Sequence, residues 1–514
     1  YFYLINSVND ADVRSKIESV YNSRTNNVIT DICKIIILRQ YYANELGFNS
    51  YFDYVNNGRN NSNDIKELIT DLINKVNPRT TNEIERVHME LARDGFTKKV
   101  ESNDIIYYHN KLQSKKLFKP SDVFCTIFDT MKKYFNINFM PISCEKWNKN
   151  IVTFLCTDLK TNKKLGILYL DIVHSDSKKI DAPLFIKLSD KYTLGNQTDI
   201  AKMCILGNYK DINVECMSYN NIILMFREFG HVLQNLSYES HTGLINYDDS
   251  FCNFLPQIME YIAWERETIQ QIAVDCSDET IDHILFGRNI DICYSIKLRC
   301  IQASMDHIIH NSTEFVGLIN DSVKHSTPAN NIFINLYKKT CKEMTNQSKD
   351  LLNTELSSMP PHVIIQMING SEGVLYGNIS SEILSYAVFS VIKNGKGIEF
   401  REKVLKPTNI PFNVLLAKFI ESIDTDTYNL YLSKIIGLDV QKEEDIVTEN
   451  TNFFDDKESD SDSESDTGYK NQGYGTTIPE PTREHYNELL QTNKNYGNGT
   501  TEKNNAILKL VKNL

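Results

Sequence analysis

LMFREFGHVLQNL, Leu224 to Leu236, is the stretch on which the reading of this chain turns. Its apolar residues recur three and four apart and no proline interrupts them, so the spacing predicts a helix with an apolar face; Gly230 weakens it. Residues i and i+4 of a helix share a face, so position 227 stands beside His231. Two histidines at that spacing, with a glutamate after the first, reach one zinc ion, and the glutamate activates the water bound to it. A third ligand from further along the chain leaves the fourth position to that water. Here the run reads Arg227-Glu228-Phe229-Gly230-His231, so the glutamate and the second histidine stand while the first position is arginine.

Around this helix lies a chain of 514 residues, long enough for one large domain or two. Hydrophobic residues make up 41% and charged residues 24%, an ordinary balance for a globular protein. No stretch approaches the roughly 18 apolar residues of a membrane span. The net charge of -12 argues against a nucleic-acid binder. Eleven cysteines, an odd number with no C-x-x-C pair, read as buried free thiols in a reducing compartment, and the expected location is intracellular and cytoplasmic. The opening YFYLINSVND has neither a starting Met nor a signal-peptide layout and reads as a cut inside a longer product.

Three regions follow from the patterning. Residues 1–135 read as helices, with ADVRSKIESVYNSR, VITDICKIIILRQYYANELG and SNDIKELITDLINKV carrying apolar residues on one face and Gly47 and NNGRNNSND as breaks. Residues 136–437 form a core that begins with a small sheet over 136–188. There NIVTFLCTDLKTNKKLGILYLDIVHSD reads as two strands around a Lys-Thr-Asn-Lys turn, and helices return over 220–236 and beyond. Residues 438–514 hold FFDDKESDSDSESDTGYKNQGYGTTIPEP, too poor in aliphatic residues to offset its ordering entropy. Disorder is expected from Asp439 to Pro481, with a short amphipathic helix at REHYNELLQTN.

The Glu-Phe-Gly-His core and what flanks it resemble the thimet oligopeptidase and neurolysin family of zinc metallopeptidases. That family has H-E-F-G-H-x-x-H, a glycine loop, and then a run like D-F-V-E-x-P-S-Q-x-x-E; this chain continues with Gly243 and SFCNFLPQIMEYIAWE, Ser250 to Glu265. Aligning Gln257 and Glu260 places Asn253 where the third zinc ligand, a glutamate, belongs. RTNNVITDICKIIILRQYYANELGFNSYFDYV, DIIYYHNKL, GILYLDIVHSDSKKIDAP, GVLYGNISSEILSYAVFS and EFREKVLKP extend the resemblance over Tyr1 to Gly437. It lacks the extra N-terminal helical portion of many members. The resemblance implies a mainly α, zincin-like fold, with two helical lobes around a deep channel, a small sheet beside the metal-motif helix, and a substrate-loop region over 366–390.

The same alignment implies that the inherited chemistry fails. Arg227 is protonated and has no lone pair to give a metal, and Asn253 offers only a weak amide oxygen. His231 alone, with Glu228 as a vestigial general base, would hold zinc poorly. In the substrate loop, where the family uses a His and several Tyr side chains, the matching positions are Gln366, Ser371, Leu375 and Asn378, with Tyr376 the one aromatic kept. Asn220, Asn221 and Ile223 stand where the family is acidic. No cofactor is expected, or zinc if the site has been rebuilt.

Three functions compete on these residues. One is a non-catalytic descendant that binds peptides or a protein partner. A second is a rewired zinc peptidase in which His241, Asp248 or Asp249 replaces the lost ligands and Glu228 stays the base. A third is a scaffold acting through the acidic tail, whose Ser459, Ser461, Ser463 and Ser465 suit acid-directed kinases, although such a tail is more often merely solvated. Plainer readings apply to single residues. His231 can be a core histidine and Glu228 can pair with a nearby base, while the Arg227 guanidinium can fill the metal space by bonding Glu228 or Glu260. His88, His109, His307 and His310 form no second ligand set and read as surface or core residues. Oligomeric state is not legible.

Overall fold

The helices before the sheet begin and end where local chemistry dictates. In the computed structural model, the Asp10 carboxylate accepts the Asp12 and Val13 N–H groups and starts the helix Ala11–Ser23. Pro120 sits in the first turn of Pro120–Phe135, where its missing N–H costs nothing, and Asn136 ends that helix in the left-handed region at φ 57°. The structure describes residues 1–436 except 58–61, 181, 195–196, 212, 239–251, 345–350, 354–357, 367, 369, 407–409, 411 and 423–426. The acidic tail and the helix expected at Arg483–Asn493 lie outside the described residues.

The chain is mainly helical and, beside two short two-stranded pairs at Leu117–Phe118 with Met217–Ser218 and at Tyr192–Leu194 with Gln197–Asp199, holds a small mixed sheet. Its five strands are β1 (Ile137–Pro141), β2 (Val152–Asp158), β3 (Lys164–Val173), β4 (Leu184–Ser189) and β5 (Ala201–Tyr209), in the spatial order β1-β2-β3-β5-β4. Neighbours are antiparallel except β3 and β5, which run parallel with Gly166 opposite Ala201 and Leu170 opposite Ile205. The sheet therefore continues past Leu188. The run AKMCILGNY forms β5, an inner strand between β3 and β4, and its near-continuous apolar character is what a strand covered on both faces requires. Alternate residues of β3 divide between two layers. Leu168, Leu170 and Ile172 enter the main core, while Tyr169 meets Ile151 and Cys204 in a small cluster on the opposite face.

That main core runs from Ile29 to Leu432 and joins the first helices, the sheet and the later helices. A smaller cluster holds Ile5, Val87, Leu91, Tyr107 and Tyr108 together. The motif stretch forms the helix Tyr219–Ser237, started by the Ser218 hydroxyl on the Asn221 N–H. Its Ile222, Phe226, Phe229, Leu233 and Leu236 are fully buried, four and three apart. Phe229 closes an aromatic cluster with Phe124, Phe128 and Phe139, and Leu236 packs where a Gly166 side chain would stand, so the helix lies directly on the sheet. Arg401, wholly buried, reaches the Asp158 carboxylate at 2.7 Å. Burial alone would raise that carboxyl, but Arg401 and the Thr161 N–H and hydroxyl bring it down to about 2. Among the described residues no two cysteines form a disulfide, and no helix is long and apolar enough to cross a membrane.

Candidate active site

Gly230 determines how the motif helix meets the helix Phe254–Ala263. A Cβ at Gly230 would stand 2.4 Å from the Pro256 nitrogen and 2.5 Å from its Cα. The approach needs a residue without a side chain on the motif helix, and Gly230 supplies it. This is the physical reason for a glycine that costs helix propensity.

The antiparallel pair carries the site residues. One turn before Gly230, the Arg227 guanidinium donates to the Glu260 carboxylate at 2.5 Å, with both side chains about one-third exposed (28% and 33%). Of the two partners open to Arg227 in sequence, the structure uses Glu260. Glu228 turns the other way and accepts the Phe185 N–H of β4 at 2.6 Å. Because β4 is an edge strand, this N–H is not taken by a neighbouring strand. Burial raises the Glu228 pKa, against the lowering by the Phe185 N–H and by Arg227. The His231 ring lies 5.5 Å from the Phe185 ring. Burial first, then the Arg227 charge, lower its pKa, with a Gln234 hydrogen bond opposing. Both effects favour the neutral imidazole.

Asn253 and Asn378, distant in sequence, come together: the Asn253 Nδ2 donates to the Asn378 Oδ1 at 3.2 Å. Asn253 is the N-cap of Phe254–Ala263, and Asn378 lies in the first turn of the helix Tyr376–Val391. Gln257, one turn on, accepts the Ser381 and Ser385 hydroxyls at 2.8 and 3.0 Å and extends the same polar seam.

Other sequence expectations fare differently. Tyr376 is buried at 2% exposure and donates its hydroxyl to Asn56 at 2.7 Å, so it stands in the core rather than on an open wall. Leu375 is buried beside it, and Ser371 is half-buried with its carbonyl taken by the Val374 N–H. Gln366 ends the helix Pro361–Gln366, and nothing is described of its side chain. His241, Asp248 and Asp249 lie outside the described residues. His307 and His310 are both core residues; burial first, then Lys66, pushes the His307 pKa down to about 4. His310 has an acidic neighbour four residues back, Asp306 at 2.9 Å. Sequence reading also missed Phe185 and Asn56 as partners. The apolar run LFIKLS before Asp190 was the available signal for the former; none existed for the latter.

The donor set does not fit a zinc ion. Of the positions aligned as ligands, His231 offers an imidazole nitrogen and Asn253 only a weak amide oxygen, while Arg227 carries a cation bonded to Glu260. Among the described residues, no three His, Cys, Asp or Glu side chains converge as metal ligands.

The sequence profile of peptidase family M3 matches residues 4–410. The chain belongs to peptidase family M3. A thimet-like oligopeptidase of Dictyostelium discoideum is 20% identical over 317 residues, which are 57% of this chain and 44% of that protein. The aligned region thus spans less than half the length of that relative. Among solved structures, oligoendopeptidase-F from Enterococcus faecium aligns over 88% of this chain and 66% of its own, at 11% identity and a TM-score of 0.49.

Proposed function

We propose that this M3 chain is a catalytically impaired family member that binds short peptides, or an unfolded terminus of a protein partner, without cleaving them. The observation that carries the reading is the Arg227–Glu260 ion pair on the face where the family places its metal. A guanidinium there supplies positive charge but neither Lewis acidity nor an activated water. Glu228 retains its position, yet its oxygen is engaged by the Phe185 N–H. The family's channel between helical lobes is the proposed binding space. The net charge of -12 favours neutral and basic peptides over acidic ones.

Fluorescence anisotropy with short, unstructured, labelled peptides of neutral and basic composition tests this reading. The expected result is saturable binding in the micromolar range, with every peptide intact by mass spectrometry after prolonged incubation with added zinc. Absence of binding to any of them, or release of fragments, would contradict it.

A further inference from the structure

Asp306 is a carboxylate at 1% exposure in the helix Ile292–Asn311, and ionised carboxylates are tolerated there only when their oxygens are satisfied. Its Oδ1 accepts the Gly373 N–H at 3.0 Å and the His310 Nδ1–H at 2.9 Å, and its Oδ2 accepts the Leu375 N–H at 3.2 Å. Gly373 and Leu375 lead directly into the helix Tyr376–Val391, whose N-cap residue Leu375 makes no side-chain cap. Amides at a helix start need an acceptor, and a negative charge there opposes the positive end of the helix dipole. Asp306 supplies both from a different helix. On the other side, the Asn56 amide donates to the Gly373 carbonyl at 2.9 Å and accepts the Tyr376 hydroxyl. Gly373 itself holds φ +77°, and a Cβ on it would meet Val55 Cγ2 at 2.8 Å, so the turn admits little but glycine.

The helix fixed in this way carries Asn378 in its first turn, and Asn378 meets Asn253 beside the motif helix. We propose that Asp306, held by His310, is a positioning residue of the ligand site: by capping the helix Tyr376–Val391 from outside, it sets where Asn378 stands against Asn253. The functional half of this assignment rests on the peptide-binding reading above; the structural half does not.

Hydrogen–deuterium exchange of the full chain, read together with the peptide anisotropy assay, tests both halves. In the wild type the segment 370–380 should exchange as slowly as the body of its helix. Asp306→Asn removes the charge and turns donors toward donors. It should speed exchange over 370–380 by about tenfold or more, leave the sheet unchanged, and weaken peptide binding by about tenfold at a temperature where the chain is folded, since it removes a charged acceptor from those amides. A purely structural residue would lower the melting temperature without moving the dissociation constant of the folded chain. His310→Gln, which retains a donor, should give the same pattern at smaller amplitude, and it serves if Asp306→Asn fails to fold. Unchanged exchange over 370–380 in a folded variant, or an even rise across the chain, would overturn the capping role. Unchanged affinity alongside local loosening would overturn the positioning role. If the wild type binds no peptide, the proposed function fails and the positioning role with it, while the exchange result still decides the cap.

Discussion

Gly230→Ala is expected to destabilise the chain by about 3 kcal/mol or more, at the upper end of what overpacking costs, because the added methyl meets main chain rather than a side chain that can rotate away. The obstructing atoms are the nitrogen and Cα of Pro256 and the carbonyl carbon of Leu255, all closer than 3.0 Å to the Cβ position. Relief requires moving the whole helix Phe254–Ala263, which is buried along most of its length and tied to the helix Tyr376–Val391 through Gln257. Helix propensity pulls the other way by roughly 1 kcal/mol and is outweighed. Urea unfolding should report a lower midpoint. Gly317→Ala is the control: it lies within the helix Thr313–Lys324 with nothing within 4 Å of its Cβ position, and it should hold or raise the midpoint. A Gly230→Ala chain as stable as the wild type would mean that the two helices do not approach as described.

Restoring the two lost ligand types should have the largest effect on chemistry. The double variant Arg227→His, Asn253→Glu is expected to bind one zinc ion per chain at least about a thousandfold more tightly than the wild type, roughly 4 kcal/mol. Position 227 shares a helix face with His231, and the close contact at Gly230 and Pro256 brings the start of the neighbouring helix, with position 253, alongside that face. Each single change should gain much less, since two ligands hold zinc poorly. The cost in stability is small. The Arg227–Glu260 pair is about one-third exposed on both sides, and such pairs contribute about 1 kcal/mol or less. Competition against a chromophoric chelator reads the affinity. A double variant no better than the wild type would show that position 253 is not where the third ligand belongs.

Much of this arrangement was legible because its signals are local. Apolar spacing marked the motif helix over 220–236, and it runs Tyr219–Ser237; the Lys-Thr-Asn-Lys turn marked the hairpin of β2 and β3. The run after Leu188 was not recognised as sheet, because β4 and β5 pair across intervening residues and β5 joins β3 in parallel, a contact that no turn announces. At the site, residue types alone gave the expectation that positions 227 and 253 no longer serve as ligands, since an arginine cannot donate a lone pair. Which carboxylate answers Arg227 could not be read, because Glu228 is adjacent in sequence while Glu260 is adjacent in space. Gly230 looked like a blemish in a helix until its neighbour across the interface was known. Asp306 has His310 four residues on, but its role at the helix start gave no signal, as Gly373 and Leu375 are distant in sequence. Tyr376 matched a motif, and only its burial and its bond to Asn56 show that it is held in the core.

Zinc content per chain, measured by elemental analysis on protein purified without chelator, tests the impaired site most directly. The expected result is well under one zinc per chain and no cleavage of fluorogenic peptides, even with zinc supplied. One tightly held zinc per chain, with peptide cleavage that disappears in Glu228→Gln, would contradict this account and establish a working site built from other ligands.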